Sequence, residues 1–137
     1  MATATMERGT GGEQTRPRTT VLIVEDEAHL RVLYEHELRR NGFSTLAAAD
    51  GRDCMDNLIF MDVDVVVLDL RMPGMDGVDL LSRIRGEDRS IPVIINTAYS
   101  QYAENYRTWA ADAFVVKSSD VSELVETVRK VAAARTR

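Results

Sequence analysis

The sequence is poor in cysteine, in positive charge and in long apolar runs, and each shortage excludes a class of protein. One cysteine, Cys54, stands among 137 residues, so no internal disulfide can form and a reducing compartment is the natural setting. A lone Cys in an amphipathic segment reads as a small packed side chain rather than a nucleophile. Lys and Arg number 17 against 22 Asp and Glu, a net charge of −5, too little basic surface for binding nucleic acid directly. No apolar run approaches the roughly 20 residues of a membrane span. The opening "MATATMERGTGGEQTRPRT" also lacks the apolar stretch of a secretory signal; with few large apolar side chains it reads as a flexible tail over 1–18. What is left is a cytoplasmic chain with one domain over 19–137, and its 45% apolar content is enough for a single core.

What is present is an alternation. Short apolar segments, "VLIV" (21–24), "FSTLAAA" (43–49), "VDVVVLDL" (63–70), "IPVIINT" (91–97) and "AFVV" (113–116), have the make-up of strands. Between them run amphipathic stretches. The one after strand 1 carries Leu30, Leu33, Tyr34 and Leu38 at helical spacing, and Gly42 is placed to stop it. "GRDCMDNLIFM" (51–61), "MDGVDLLSRIRG" (75–86) and "DVSELVETVRKVAAA" (120–134) follow suit, the last with Asp120 as N-cap and Glu123 three residues on. Strands apolar on both faces, alternating with helices, predict an α/β fold with a parallel sheet covered on each side. Five such units fit a doubly wound, flavodoxin-like sheet of strand order 2-1-3-4-5, with its ligand crevice at the carboxyl ends of strands 1 and 3.

The unusual polar residues gather at that edge. Strand 1 ends in Glu25-Asp26-Glu27, strand 3 in Asp69, strand 4 in Thr97 and strand 5 in Lys117. Adjacent strands bring Glu25, Asp26 and Asp69 together, and like charges about 4 Å apart repel by several kcal/mol at intermediate dielectric. A hard divalent cation removes that repulsion, and Mg²⁺ suits it because it accepts a few carboxylates and keeps positions open for phosphate oxygens. Lys117 adds a point positive charge and Thr97 a hydroxyl. The set suits a phosphoryl group on an oxygen nucleophile, with Asp69 as that nucleophile. Pro73-Gly74 then turns the chain and leaves Asp69 at the crevice floor. Read singly, the acidic triplet is an ordinary helix start and Asp69 a turn residue; read together, with Thr97 and Lys117, they are a site, while Phe114 reads as core. His29 and His36 fall on the first helix as exposed side chains. A haloacid-dehalogenase-type phosphatase would need an acid where Arg71 stands, and an FMN-binding flavodoxin a hydroxyl-rich loop where the acids stand.

With "VLIVEDE", "VVVLDLRMPGMDG", "IINTA" and "FVVK" in place, residues 20–134 resemble the response-regulator receiver domains of two-component signalling. The resemblance implies a stand-alone phosphorylation switch rather than an enzyme. In it Asp69 accepts the phosphoryl group from a sensor histidine kinase or phosphotransfer protein. Glu25, Asp26, Asp69 and the Arg71 carbonyl hold Mg²⁺, while Thr97 and Lys117 engage the phosphoryl oxygens. Thr97 and Phe114 act as the switch pair, and Arg71 and Tyr99 flank the phosphate and slow its hydrolysis. The signal passes to a downstream protein or a phosphorylation-dependent homodimer. The rival readings are a phosphorylation-independent pseudo-receiver and a receiver cut from a longer regulator.

The chain departs from the family pattern in one region. Ser118 stands where a proline usually follows the lysine and brings a cis bond. Only 20 positions separate Thr97 from Lys117, and Ala110 replaces the glycine that ends the fourth helix. A short or irregular fourth helix is therefore expected. Its segment holds Tyr99, Tyr102, Tyr106 and Trp109 at helical spacing, a candidate partner face, since interface centres favour Tyr and Trp.

Overall fold

The computed structural model describes residues 18–72, 74–106, 109–118 and 120–135. Residues 1–17 of the tail and Pro73 of the expected Pro73-Gly74 turn lie outside them, while Gly74 is described at φ +75°. Strands β1 (Thr20–Val24), β2 (Ser44–Ala48), β3 (Val65–Leu68), β4 (Val93–Thr97) and β5 (Ala113–Val116) form one sheet, all neighbours parallel, in the order 2-1-3-4-5. Helices α1 (Ala28–Arg40), α2 (Gly51–Phe60), α3 (Gly77–Glu87) and α4 (Ser122–Arg135) cover it. The alternation of each strand sorts the core into two halves. Leu22, Val24, Val66, Leu68, Val93 and Ile95 pack with Cys54 of α2 and Leu80, Leu81 and Ile84 of α3. Val21, Ile23, Val65, Val67 and Ile94 face the other way, onto Tyr34 and Leu38 of α1 and Leu124, Val125 and Val128 of α4. Burial pushes the Cys54 thiol up to about 12, which keeps it a protonated core side chain.

One helix start differs from the sequence pattern. Met75 and Asp76, expected to open the third helix, pair antiparallel with Met72 and Arg71 instead, and Asp76 caps α3 by accepting the Val78 N–H at 2.9 Å. Gly77 is required there. A Cβ on it would sit 2.5 Å from Leu70 Cα and 2.8 Å from Leu70 O, so only glycine lets α3 start against the segment bearing Asp69. Asp120 caps α4 as its position suggests, accepting the Ser122 N–H at 2.9 Å.

Between β4 and β5 the described residues form no α-helix: a 3-10 turn at Ser100–Tyr102 leads into further turns. Ala110 closes this segment at φ +67°, the left-handed region that costs an L-residue roughly 1–2 kcal/mol. Arg85 holds it there. Its Nε donates to Ala110 O at 3.0 Å, its Nη1 to Ile91 O, and its Nη2 pairs with Asp112 at 2.7 Å, while Asp112 also accepts the Val93 N–H at 2.8 Å. Ala110→Gly is expected to stabilise the protein by about 0.5–1 kcal/mol, strain relief outweighing the added entropy of the unfolded chain. Thermal denaturation checks this: a melting temperature that stays level or falls means the alanine is not strained.

Candidate functional site

Register explains why the acids meet. Val24 lies opposite Leu68, so the next residues, Glu25 and Asp69, leave neighbouring strands side by side. Glu25 and Asp69 are 2% and 5% exposed, whereas Asp26 is partly open to solvent. One carboxylate oxygen from each of Glu25, Asp26 and Asp69 lies within 4.8 Å of the others, the only such group of three found among the described residues. Thr97 of β4 is opposite Val116 of β5, which delivers Lys117 one residue further to the same edge.

Lys117 is the electrostatic centre. Its Nζ donates to Asp69 Oδ2 at 2.9 Å and lies 2.6 Å from Glu25 Oε1, and its backbone N–H donates to Thr97 O at 2.8 Å. No cis peptide occurs among the described residues, so Lys117 reaches the site through a trans link to Ser118. Burial pulls the Lys117 ammonium down, but hydrogen bonds and charge from Glu25 and Asp69 outweigh it and hold the ammonium above its ordinary range. Burial pushes the Glu25 carboxyl up, and Lys117 opposes that only in part. Glu25 Oε1 is buried, with the Lys117 ammonium at 2.6 Å as its close charged partner.

Around this core each expected residue has a definite place. The Arg71 N–H donates to Asp69 Oδ1 at 3.2 Å, and the Arg71 guanidinium carbon lies 4.5 Å from the Tyr99 ring centroid. Thr97 is fully buried, and its hydroxyl accepts the Tyr99 N–H at 3.4 Å. Phe114 is half-buried, its ring centroid 6.0 Å from that of Tyr106. Tyr102, Tyr106 and Trp109 pack against the core rather than forming one helical face, with Tyr102 and Trp109 at 5.7 Å; Tyr99 is exposed. Three residues had gone unnoticed as parts of the site. Arg31 Nη1 donates to the carbonyls of Glu25 and Asp26, at 2.8 and 2.9 Å. Tyr34 and Asn96, both buried, interact beneath the Lys117 loop. Of these, only Asn96 carried a signal, as the one amide in an otherwise apolar strand.

A broad depression of about 1180 Å³ lies at the opposite edge, lined by Thr20, Phe43, Leu58, Ile91 and Arg129. The cluster of three carboxylates and Lys117 is at the carboxyl edge. No helix among the described residues is long and apolar enough to cross a membrane.

Comparison with known proteins agrees with the geometry. The family described as response regulator receiver domain matches residues 21–129. Sporulation initiation phosphotransferase F of Bacillus subtilis is 33% identical over 112 residues, 80% of this chain and 90% of that protein. Response regulator ArlR of Staphylococcus aureus is also 33% identical, over 82% of this chain but only 52% of its own length. Among solved structures, response regulator TrrA of Thermotoga maritima in complex with Mg²⁺-BeF superposes with a TM-score of 0.77 at 35% identity, covering 82% of this chain and 98% of that one. TrrA has also been solved in complex with the histidine kinase ThkA.

Proposed function

The chain belongs to the response regulator receiver domains of two-component signalling, and on that premise we propose that Asp69 accepts a phosphoryl group in a Mg²⁺-dependent reaction. The donor is the phosphohistidine of a sensor histidine kinase or phosphotransfer protein. TrrA, 35% identical, is found in complex with a kinase of that class. The receiver unit is residues 19–137, and what it regulates is a downstream protein.

The observation that carries this reading is the double contact of Lys117 Nζ, 2.9 Å to Asp69 and 2.6 Å to Glu25, beside a third carboxylate. A strand-end nucleophile is thereby flanked by a fixed cation on one side and hard oxygen ligands on the other. Three carboxylates with one oxygen each within 4.8 Å of the others suit Mg²⁺. Glu25, Asp26, Asp69 and the Arg71 carbonyl would hold it, and it would neutralise charge on the phosphoryl oxygens.

In the transfer, an Asp69 carboxylate oxygen attacks phosphorus as the P–N bond to the donor imidazole breaks. The electron pair goes to the imidazole nitrogen, which ends protonated. Lys117 shifts its hydrogen bond from the carboxylate to a phosphoryl oxygen, stabilising charge that was absent in the resting state. The Thr97 hydroxyl turns from the Tyr99 N–H to donate to a second phosphoryl oxygen. That movement draws on the 98–110 segment and on Phe114, and biases the β4–β5 surface toward a second state. No external substrate is turned over; the acyl phosphate is lost by slow hydrolysis.

Intact mass after incubation with acetyl phosphate tests the reading. One phosphoryl group is expected with Mg²⁺ and none with a chelator. No gain under either condition would overturn it in favour of a phosphorylation-independent binding module. The Arg71–Tyr99 stack is the part placed to exclude water. An Arg71→Ala, Tyr99→Ala double variant is expected to lose phosphoryl about tenfold faster, a change of about 1.4 kcal/mol in barrier. The decay of the phosphorylated fraction after donor removal measures this, and an unchanged half-life would show that the stack is no shield.

A further inference from the structure

The gap between β1 and α1 is three residues, Glu25 to Glu27, and two of them supply carboxylates to the site. Both carbonyls of that acidic pair are taken by one group: Arg31 Nη1 donates to Glu25 O at 2.8 Å and to Asp26 O at 2.9 Å. Arg31 sits on the first turns of α1, so a rigid helix reaches back across its own entry loop. The Glu27 carbonyl is used by the helix itself, accepting from Leu30 and Arg31 N–H groups. Every carbonyl of the gap is therefore tied to α1.

We propose that Arg31 is the positioning residue of the acidic loop: it fixes the backbone of Glu25 and Asp26 so that their carboxylates stand ready for Mg²⁺. The inference rests on the magnesium reading above. Its logic is that Mg²⁺ demands near-octahedral geometry at short distances and tolerates a wandering ligand loop poorly. Groups that orient ligands from behind typically matter 10- to 100-fold in metal affinity. One guanidinium nitrogen reaches both oxygens at once, and a lysine at the same position is shorter and more strongly hydrated.

A rival account makes the opposite prediction, which makes the inference testable. Arg31 is also a cation near a cation site. If its charge mattered most, Arg31→Gln would bind Mg²⁺ more tightly than wild type, and Arg31→Lys would match wild type. If positioning matters, both variants bind Mg²⁺ about tenfold more weakly, although one keeps the charge. Calorimetric titration of wild type, Arg31→Gln and Arg31→Lys with MgCl₂ separates these, at a temperature where circular dichroism shows each fully folded. As a second readout, the initial rate of phosphorylation by acetyl phosphate is followed against Mg²⁺. The half-saturating concentration is expected to rise about tenfold while the rate at saturation stays near wild type. A lower saturating rate with unchanged half-saturation would mean a merely structural role and would overturn the inference, as would equal or tighter Mg²⁺ binding by both variants. Wild type that binds no Mg²⁺ at all would instead overturn the magnesium reading itself, and the inference with it.

Discussion

Incubated with acetyl phosphate and Mg²⁺, an Asp69→Asn chain is expected to keep its mass while wild type gains one phosphoryl group. The substitution is isosteric, so the amide oxygen can go on accepting the Arg71 N–H that Asp69 Oδ1 holds at 3.2 Å. What disappears is the nucleophile. A neutral amide oxygen does not displace a phosphoryl group at neutral pH, so the loss is of the whole reaction rather than a fraction of it. The fold should hold. The change removes one of three crowded carboxylates, and Lys117 keeps its 2.6 Å partner Glu25. Stability is expected to stay within about 1 kcal/mol of wild type, or to rise, because like-charge repulsion falls as the Lys117 contact is weakened. Chemical denaturation measured beside the mass experiment separates a lost nucleophile from a lost fold. If Asp69→Asn gains mass at the wild-type rate, the acceptor is another residue.

The carboxyl-edge cluster was legible because strand register is a property of pattern. Two apolar runs of the same character, ending in acids, pair level when both are buried on both faces, and Val24 does lie opposite Leu68. Strand order followed from the same alternation. The third helix starts two residues later than its pattern because a two-residue ladder intervenes, fixed by the close approach of Gly77 to Leu70, which no periodicity reports. The 98–110 segment misled more deeply. Residues 99, 102, 106 and 109 match a helical face by spacing, and an irregular helix was indeed expected, but the connection is short and ends in a left-handed Ala110. Its aromatics satisfy their spacing by packing three rings inward from turns. Arg31 escaped notice for another reason. On paper it is one more charge on the polar side of a helix, and only coordinates tell that its guanidinium folds back onto the loop before it.

Lys117→Met removes the cation shared by two buried carboxylates, and it is expected to destabilise the protein by about 3 kcal/mol at pH 7.5. Deleting one partner of a buried ion pair costs about 3–5 kcal/mol because the other charge is left unpaired; the low end applies since the Lys117 side chain is still 14% exposed. Against a total stability of about 5–15 kcal/mol, that is a large share. The pH dependence identifies the cause. Burial already holds the Glu25 carboxyl above its ordinary 4.5, and the Lys117 hydrogen bond and charge are among the influences lowering it again. Without them it rises further. A carboxyl raised in the folded state contributes stability that is fully present below its unfolded value and is lost as pH climbs through its folded value. The deficit relative to wild type should therefore be greatest above neutrality and shrink as pH falls toward 4.5. Lys117 itself, held above its ordinary 10.5, stays charged across that window in wild type, so the comparison isolates the carboxylates. Mg²⁺ should also recover more stability in the variant than in wild type, because it supplies the positive charge that the methionine lacks. Urea denaturation at pH 5 and 7.5, with and without Mg²⁺, measures all of this. A deficit independent of both pH and metal would mean that the charge pair contributes nothing and that the methionine packs less well than the lysine it replaces.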